Sequence, residues 1–272
     1  IDAALQNISS KKDEQWKHQV VVVYNTITHE VTWSDLTFSD DQYETFPCFS
    51  PDGRYLYFTS ADAVEQMPAD YRDVHYSIKR IAFDPETETF SGELETIYDA
   101  NATGKSASFP RISRDGRFLA FTEHGFGNFS IWHSDSDIRI IDLLSDTYIN
   151  NMDSSDSDFD SADSSCSLLM EEDMNSDAVD SYHSWSSNSR WMIFSSRRDD
   201  GLYTRPYICH IDENGVASKA FMMPQKNPAK YYAEQMFSYN IPELIKGRVK
   251  TSRHTISQIL RNTDGVNVSV KH

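Results

Sequence analysis

The 272-residue chain carries 42 acidic against 25 basic side chains, a formal net charge of −17 at pH 7, which argues against nucleic-acid binding because that needs a basic footprint to displace counterions. It contains no run of about 18 apolar residues, so no membrane-spanning helix is expected. Its three cysteines, Cys48, Cys166 and Cys209, show no CxxC spacing and supply no disulfide or metal framework.

Charge is unevenly placed. Ser134 to Asp180 holds 14 acidic residues against the single base Arg139, whereas Lys226 to His272 holds 8 bases against 3 acids. The chain begins at Ile1 without a targeting segment, as expected of a mature product or an excised piece.

In chain order, Gln19 to Tyr24 reads as a strand and Glu30 to Trp33 as another. No repeat copy precedes them, and they are expected to be outer strands of a sheet whose inner strands lie upstream or come from elsewhere. A stretch from Phe46 to Thr59 then introduces a unit that returns from Phe109 to Thr122 and from Tyr182 to Ser195. Ser50, Arg54 and Phe58 recur as Ser113, Arg117 and Phe121, and again as Ser186, Arg190 and Phe194. Between them, Asp-Gly twice and Asn188-Ser189 once are turn formers, so the unit is strand, tight turn, strand. The run after each turn is too continuously apolar for a strand with one wet face, which implies burial between neighbouring sheets.

Each copy is followed by a further apolar segment: His75 to Phe83, Ile138 to Leu144, and Arg205 to Ile211. Leu94 to Tyr98 and Ala217 to Met222 add a last short strand, giving about four strands per unit. Four antiparallel strands per repeat is the count of a β-propeller blade, so the expected fold is all-β, about three full blades plus a partial one. Too few units are complete to close a ring by themselves; the chain is expected to be part of a longer propeller with additional blades upstream, or a ring closed by its own tail. The blades are expected to occupy 1–225, with an acidic, Ser-rich loop insertion at about 150–167, and a short helical extension 226–272. In that extension Asn227-Pro228 caps a helix over Ala229 to Phe237, Pro242 to Gly247 reads as a second, and Ser252 to Asn262 as a third. Val266 to Val270 alternates like a strand that completes the first blade. The aspartates of the acidic insertion are read as a flexible loop in preference to a calcium cage, because the EF-hand Gly and Glu positions are not matched.

Chemistry concentrates in the third copy. Arg197, Arg198, Asp199 and Asp200, followed by Tyr203 and Arg205, form its densest polar cluster. Such a cluster either clamps a carboxylate or sugar or bonds internally to neighbouring turns. His183 stands where the other copies have Pro47 and Pro110, and with Tyr182, Trp185, His124 and His133 it is a candidate for the lining of a central funnel. There is no G-x-S-x-G, phosphate-cradling loop, HExxH or dinucleotide fingerprint, so neither a cofactor nor a catalytic residue is expected.

The phrases PCFSPDGRYLYFTSA, FPRISRDGRFLAFTE and YHSWSSNSRWMIFSSRRDDGLYTRPYI resemble the propeller repeats of TolB-like proteins, and the last is similar to a Bacteroidetes family of large cell-envelope TolB-like proteins. The resemblance runs from about Val20 to Val249. It implies a non-catalytic scaffold in the periplasm or cell envelope, binding an envelope protein or a glycan. The alternative it leaves is the propeller part of an enzyme, either a prolyl-oligopeptidase-like serine peptidase or an oligosaccharide lyase.

Overall fold

The structure, a computed structural model, describes residues 2–6, 20–37, 41–145, 173–262 and 269–270. Its strands fall into four sheets. The first contains β1 (Asp2–Gln6), β2 (Val20–Tyr24) and β3 (Glu30–Thr32). The second is β4 (Gln42–Phe49), β5 (Tyr55–Asp62), β6 (Ser77–Asp84) and β7 (Thr89–Tyr98), followed by the single turn α1 (Ala100–Thr103). The third is β8 (Ser106–Ile112), β9 (Phe118–His124) and β10 (Asp137–Asp142). The fourth is β11 (Asp180–Trp185), β12 (Trp191–Ser196), β13 (Arg205–His210) and β14 (Phe221–Met222). Within each sheet these strands pair antiparallel in sequence order. The inner strands of the last three sheets pack in series, β4 on β8 and β8 on β11, while β1 and β2 pack on β4. The chain is therefore an arc of propeller blades.

The repeated residues account for the hairpins atom by atom. In the second sheet the Ser50 hydroxyl donates to Asp52 Oδ1 (2.6 Å) and accepts from the Tyr55 amide (2.9 Å). Ser113 does the same with Asp115 (2.5 Å) and Phe118 (2.9 Å), and Ser186 with Asn188 (2.6 Å) and Trp191 (3.0 Å). The turn needs a left-handed residue next, supplied by Gly53 (φ 74°) and Gly116 (φ 80°). Ser189 takes that conformation in the fourth sheet (φ 58°), and its hydroxyl accepts from the Asp115 amide (2.9 Å) of the neighbouring turn. The carbonyls of Arg54, Arg117 and Arg190 each accept, at 2.8 Å, from an amide at the end of the third strand.

With register set this way, Phe58, Phe121 and Phe194 all point into walls between sheets and are fully buried. Val21, Val23, Leu56, Phe58 and Ile81 fill the space between the first and second sheets. Ile78, Ile97, Leu119, Phe121 and Ile141 fill the next, and Phe118, Ile138, Met192, Phe194 and Cys209 the last. The Cys209 thiol is pushed up to about 12 by burial, as an inert core group. Cys48 is also a free thiol, and Cys166 lies outside the described residues.

Several expectations are corrected. Val20–Tyr24 is not an outer strand: it pairs with Asp2–Gln6, which supplies the inner position from within the chain. Among the described residues the third sheet has three strands; the acidic insertion that follows it, 150–167, lies outside them. α2 (Pro228–Ala233) forms with Asn227 accepting from the Lys230 amide at 3.3 Å but ends four residues short of the expected Phe237, and α3 (Arg253–Asn262) forms as expected. Pro242 to Gly247 is not helical, since so short a stretch cannot repay nucleation without packing. β15 (Ser269–Val270) joins the first sheet beside β3, in parallel rather than antiparallel pairing.

Truncating the turn serines tests this account. Ser113 is fully buried and leaves the Phe118 amide without a partner when lost, so Ser113→Ala is expected to lower stability by about 1–3 kcal/mol. Ser50→Ala and Ser186→Ala, at half-exposed turns, should cost less; urea denaturation midpoints of the three variants check the order.

Candidate functional site

The inner strands carry the first element of the site. β4, β8 and β11 each have a bulge, between Thr45 and Cys48, Ser108 and Arg111, and Ser181 and Ser184. At each bulge an aromatic residue takes a left-handed backbone: Phe46 (φ 52°), Phe109 (φ 55°) and Tyr182 (φ 56°). Such a conformation costs a bulky residue roughly 1–3 kcal/mol. What offsets it is ring contact, because the Phe46 and Phe109 centroids are 4.0 Å apart and those of Phe109 and Tyr182 4.8 Å. Tyr182 thus ends an aromatic ladder crossing three sheets.

The residue after Tyr182 turns into the wall. His183 is 1% exposed, with Nδ1 3.5 Å from Thr122 Oγ1 and Nε2 without a partner. Burial, helped by the charge of Arg111, lowers its pKa to about 3, so it is neutral at pH 7. His124 is also fully buried, 3.2 Å from Ser108 Oγ and 4.9 Å ring to ring from His133; burial and His133 lower it to about 3. Trp185 donates to the Arg111 carbonyl (3.0 Å) and stacks on Phe118. Among the described residues no three His, Cys, Asp or Glu side chains are grouped to hold a metal.

The cluster after β12 divides. Arg198 faces its own sheet, donating to Asp180 Oδ1 (2.7 Å), Ser196 Oγ (2.9 Å) and the Met174 carbonyl (2.8 Å), with its guanidinium 4.4 Å from the Tyr207 ring. Asp199 accepts from Tyr207 Oη (3.0 Å), and Asp200 closes a turn by accepting from the Leu202 and Tyr203 amides (2.8 Å each). Arg205 is buried and holds the chain's extension: it donates to the carbonyls of Phe237 (3.1 Å), Tyr232 (3.3 Å) and Gln235 (3.2 Å). Tyr203 lies against that guanidinium, 5.1 Å away. Ser195 Oγ donates to the Asn240 carbonyl (2.6 Å), so the extension covers the face of the fourth sheet turned away from the third. A groove of about 410 Å³ is lined by Asp199, Asp200 and Arg205 together with Pro228 and Tyr232 of α2.

Arg197 goes elsewhere. Its guanidinium sits 4.8 Å from the ring of Trp132, a residue of the preceding sheet's loop that is 73% exposed. Segments 63–76, 125–136 and 197–204 join the second and third strands of consecutive sheets and so lie at one end of the arc. They are tied together. Tyr71 Oη donates to Asn128 Oδ1 (3.0 Å) and accepts from the Asn128 amide (2.9 Å), while Ser130 and Ser181 share a 2.7 Å bond. Gly127 is needed there: a Cβ on it would stand 2.2 Å from the Tyr71 ring, and its φ is 67°. The two loops that carry Trp132 and Arg197 also expose Phe129 (54%) and Leu202 (71%). Sequence reading passed over Trp132 and Phe129 because they lie in an irregular loop outside the repeat; their only signal was two large aromatics between glycines and an aspartate-rich segment.

No family model matches this sequence, and no curated protein matches it. Solved structures do. The β-propeller domain of the trilobed protease from Pyrococcus furiosus is 15% identical over 68% of this chain and 44% of that one, with a TM-score of 0.35. A puromycin-hydrolysing peptidase of Mycobacterium tuberculosis is 9% identical over 83% of this chain and 31% of its own (TM-score 0.42), and a prolyl endopeptidase 14% identical over 82% and 27% (TM-score 0.44). This chain spans less than half of each. Likeness of this degree concerns fold alone.

Two outcomes are expected. Replacing Arg205 with Met strands the buried carbonyls of Tyr232 and Gln235, so stability should fall by about 2–3 kcal/mol and trypsin should cut 226–262 sooner, as limited proteolysis will read. For His183, the unfolded ring binds a proton near the ordinary histidine value of 6.5 while the folded ring does so only near 3. Stability is therefore lost as pH falls through that window, and His183→Gln should flatten the decline of the urea midpoint between those pH values.

Proposed function

We propose that the chain is a binding scaffold of the TolB-like kind, part of a larger cell-envelope or periplasmic protein, and that it recognises a protein partner through the rim made by 63–76, 125–136 and 197–204. The single observation that carries this is Trp132: a large indole left 73% exposed yet held in place by the Arg197 guanidinium of the next sheet. Trp, Arg and Tyr dominate the energetics of protein interfaces, and a cation over the indole face fixes the ring before a partner arrives. Phe129 and Leu202, exposed on the same loops, supply further apolar area. The acidic and basic groups predicted to act nearby, Arg198, Asp199, Asp200 and Arg205, are engaged within the fold, which leaves Arg197 and Tyr182 as the cluster members nearest the rim. Support for the envelope setting comes from the repeat phrases.

The test is a crosslinked capture from native cell envelope with the chain as bait, quantified by titrating the captured protein after purification. Trp132→Ala and Arg197→Ala are each expected to weaken binding by about 30-fold with circular dichroism unchanged. Equal affinity for wild type and both variants would remove the rim from the interface.

A further inference from the structure

The face of the second sheet turned toward the first changes character along its length. Leu56, Phe58, Ile81 and Phe83 pack there against Val21 and Val23. Strand alternation puts Gln42, Glu44, Ser60, Asp62, Ser77 and Lys79 on the same face, one or two pairs further along the ladder. Glu44 and Ser60 are only 2% exposed, and the Val21 amide donates to Glu44 at 3.3 Å. A wall between sheets that begins as hydrocarbon thus ends as a set of buried polar groups. A cavity of about 340 Å³ opens at that end, within the small part of the ligand-pocket range of ~300–1,000 Å³.

Its lining is underused. Among the described residues no carboxylate stands within ion-pair distance of the Lys79 ammonium. Its nearest buried acid does not compensate it, since burial pushes Glu44 up to about 8 and keeps it protonated at neutral pH. His75 contributes a buried Nδ1 without a hydrogen-bond partner. Asp62 accepts from Gln42 (2.5 Å) and Asp99 from the Asn101 amide (2.9 Å), leaving each with further acceptor capacity. Thr96 adds a hydroxyl.

A single lysine, Lys79, shares this space with the carboxylates of Asp62, Asp73 and Asp99, so an anion is not matched by the wall, and among the described residues no three His, Cys, Asp or Glu side chains are grouped to hold a metal ion. Apart from His75 the lining contains no aromatic ring to stack on a flat base. A hydroxyl group both donates and accepts, and several on a compact frame satisfy such an alternating wall. We propose that this cavity is a binding site for a small neutral polyhydroxy molecule, a sugar of one or two rings. The site is lined by strands of the second sheet, by Val64, Asp73 and His75 of segment 63–76 and by Asn101 of α1, and contains neither Trp132 nor Arg197.

Isothermal titration of the full chain with glucose, galactose and N-acetylglucosamine, alongside glucuronate and glycine, tests this. Saturable binding of at least one of the three neutral sugars is expected, weakened about ten-fold or more in both Lys79→Met and Thr96→Val and unchanged in Trp132→Ala. Thr96 is exposed, so that variant remains informative if Lys79→Met does not fold. Binding of none of the three, preference for glucuronate or glycine, or affinity unaltered in the folded cavity variants would overturn the site.

Discussion

The fold depends on a serine hydroxyl bonded on both sides. In each of the last three sheets it ties the turn residue two positions on to the amide five positions on, and so fixes where the inner strand ends and the middle strand begins. A slip of one residue would rotate every side chain of the middle strand to the opposite face. Phe58, Phe121 and Phe194 would then exchange places with Tyr57, Ala120 and Ile193, and the walls between sheets would no longer fill. The turn is small and polar, yet the hydrophobic packing is organised by it.

A second constraint works at the inner strands. The bulges that place Phe46, Phe109 and Tyr182 in the left-handed region interrupt the ladder at one point only. They let each inner strand turn its ring toward the next while pairing continues on either side. The arginines show the same division of labour. Arg117 grips Asp142 through three contacts and reaches the Glu213 carbonyl of the next sheet, and Arg198 and Arg205 secure their own sheet and the extension. Arg197 alone of the Arg197–Arg205 cluster leans out onto an exposed ring.

What could be read from the amino acids was whatever recurs or acts locally. The Ser, Asp-Gly and Phe spacing announced the hairpins and their burial, and Asn227-Pro228 announced α2, because partners within a few residues are written side by side. The roles of Arg205, whose acceptors lie 27 to 32 residues away, and of Trp132, whose cation comes from a different sheet, were not legible. Such pairings exist only once sheets are stacked. Asp2–Gln6 escaped notice for a related reason: Asp-Ala-Ala-Leu-Gln has little β-propensity, and its pairing with β2 comes from the valines opposite. Pro242 to Gly247 carried helix punctuation without the packing that would justify a helix.

The links between neighbouring sheets sit at opposite ends of the arc. Ser189 with Asp115, and Arg117 with Glu213, join the third and fourth sheets at the turn end; Trp132 with Arg197, and Ser130 with Ser181, join them at the loop end. Two plates pinned at both ends cannot hinge about either one. The curvature of this part of the arc is thus set at folding, and the loops at its end are presented on a stiff frame whose shape is fixed in advance.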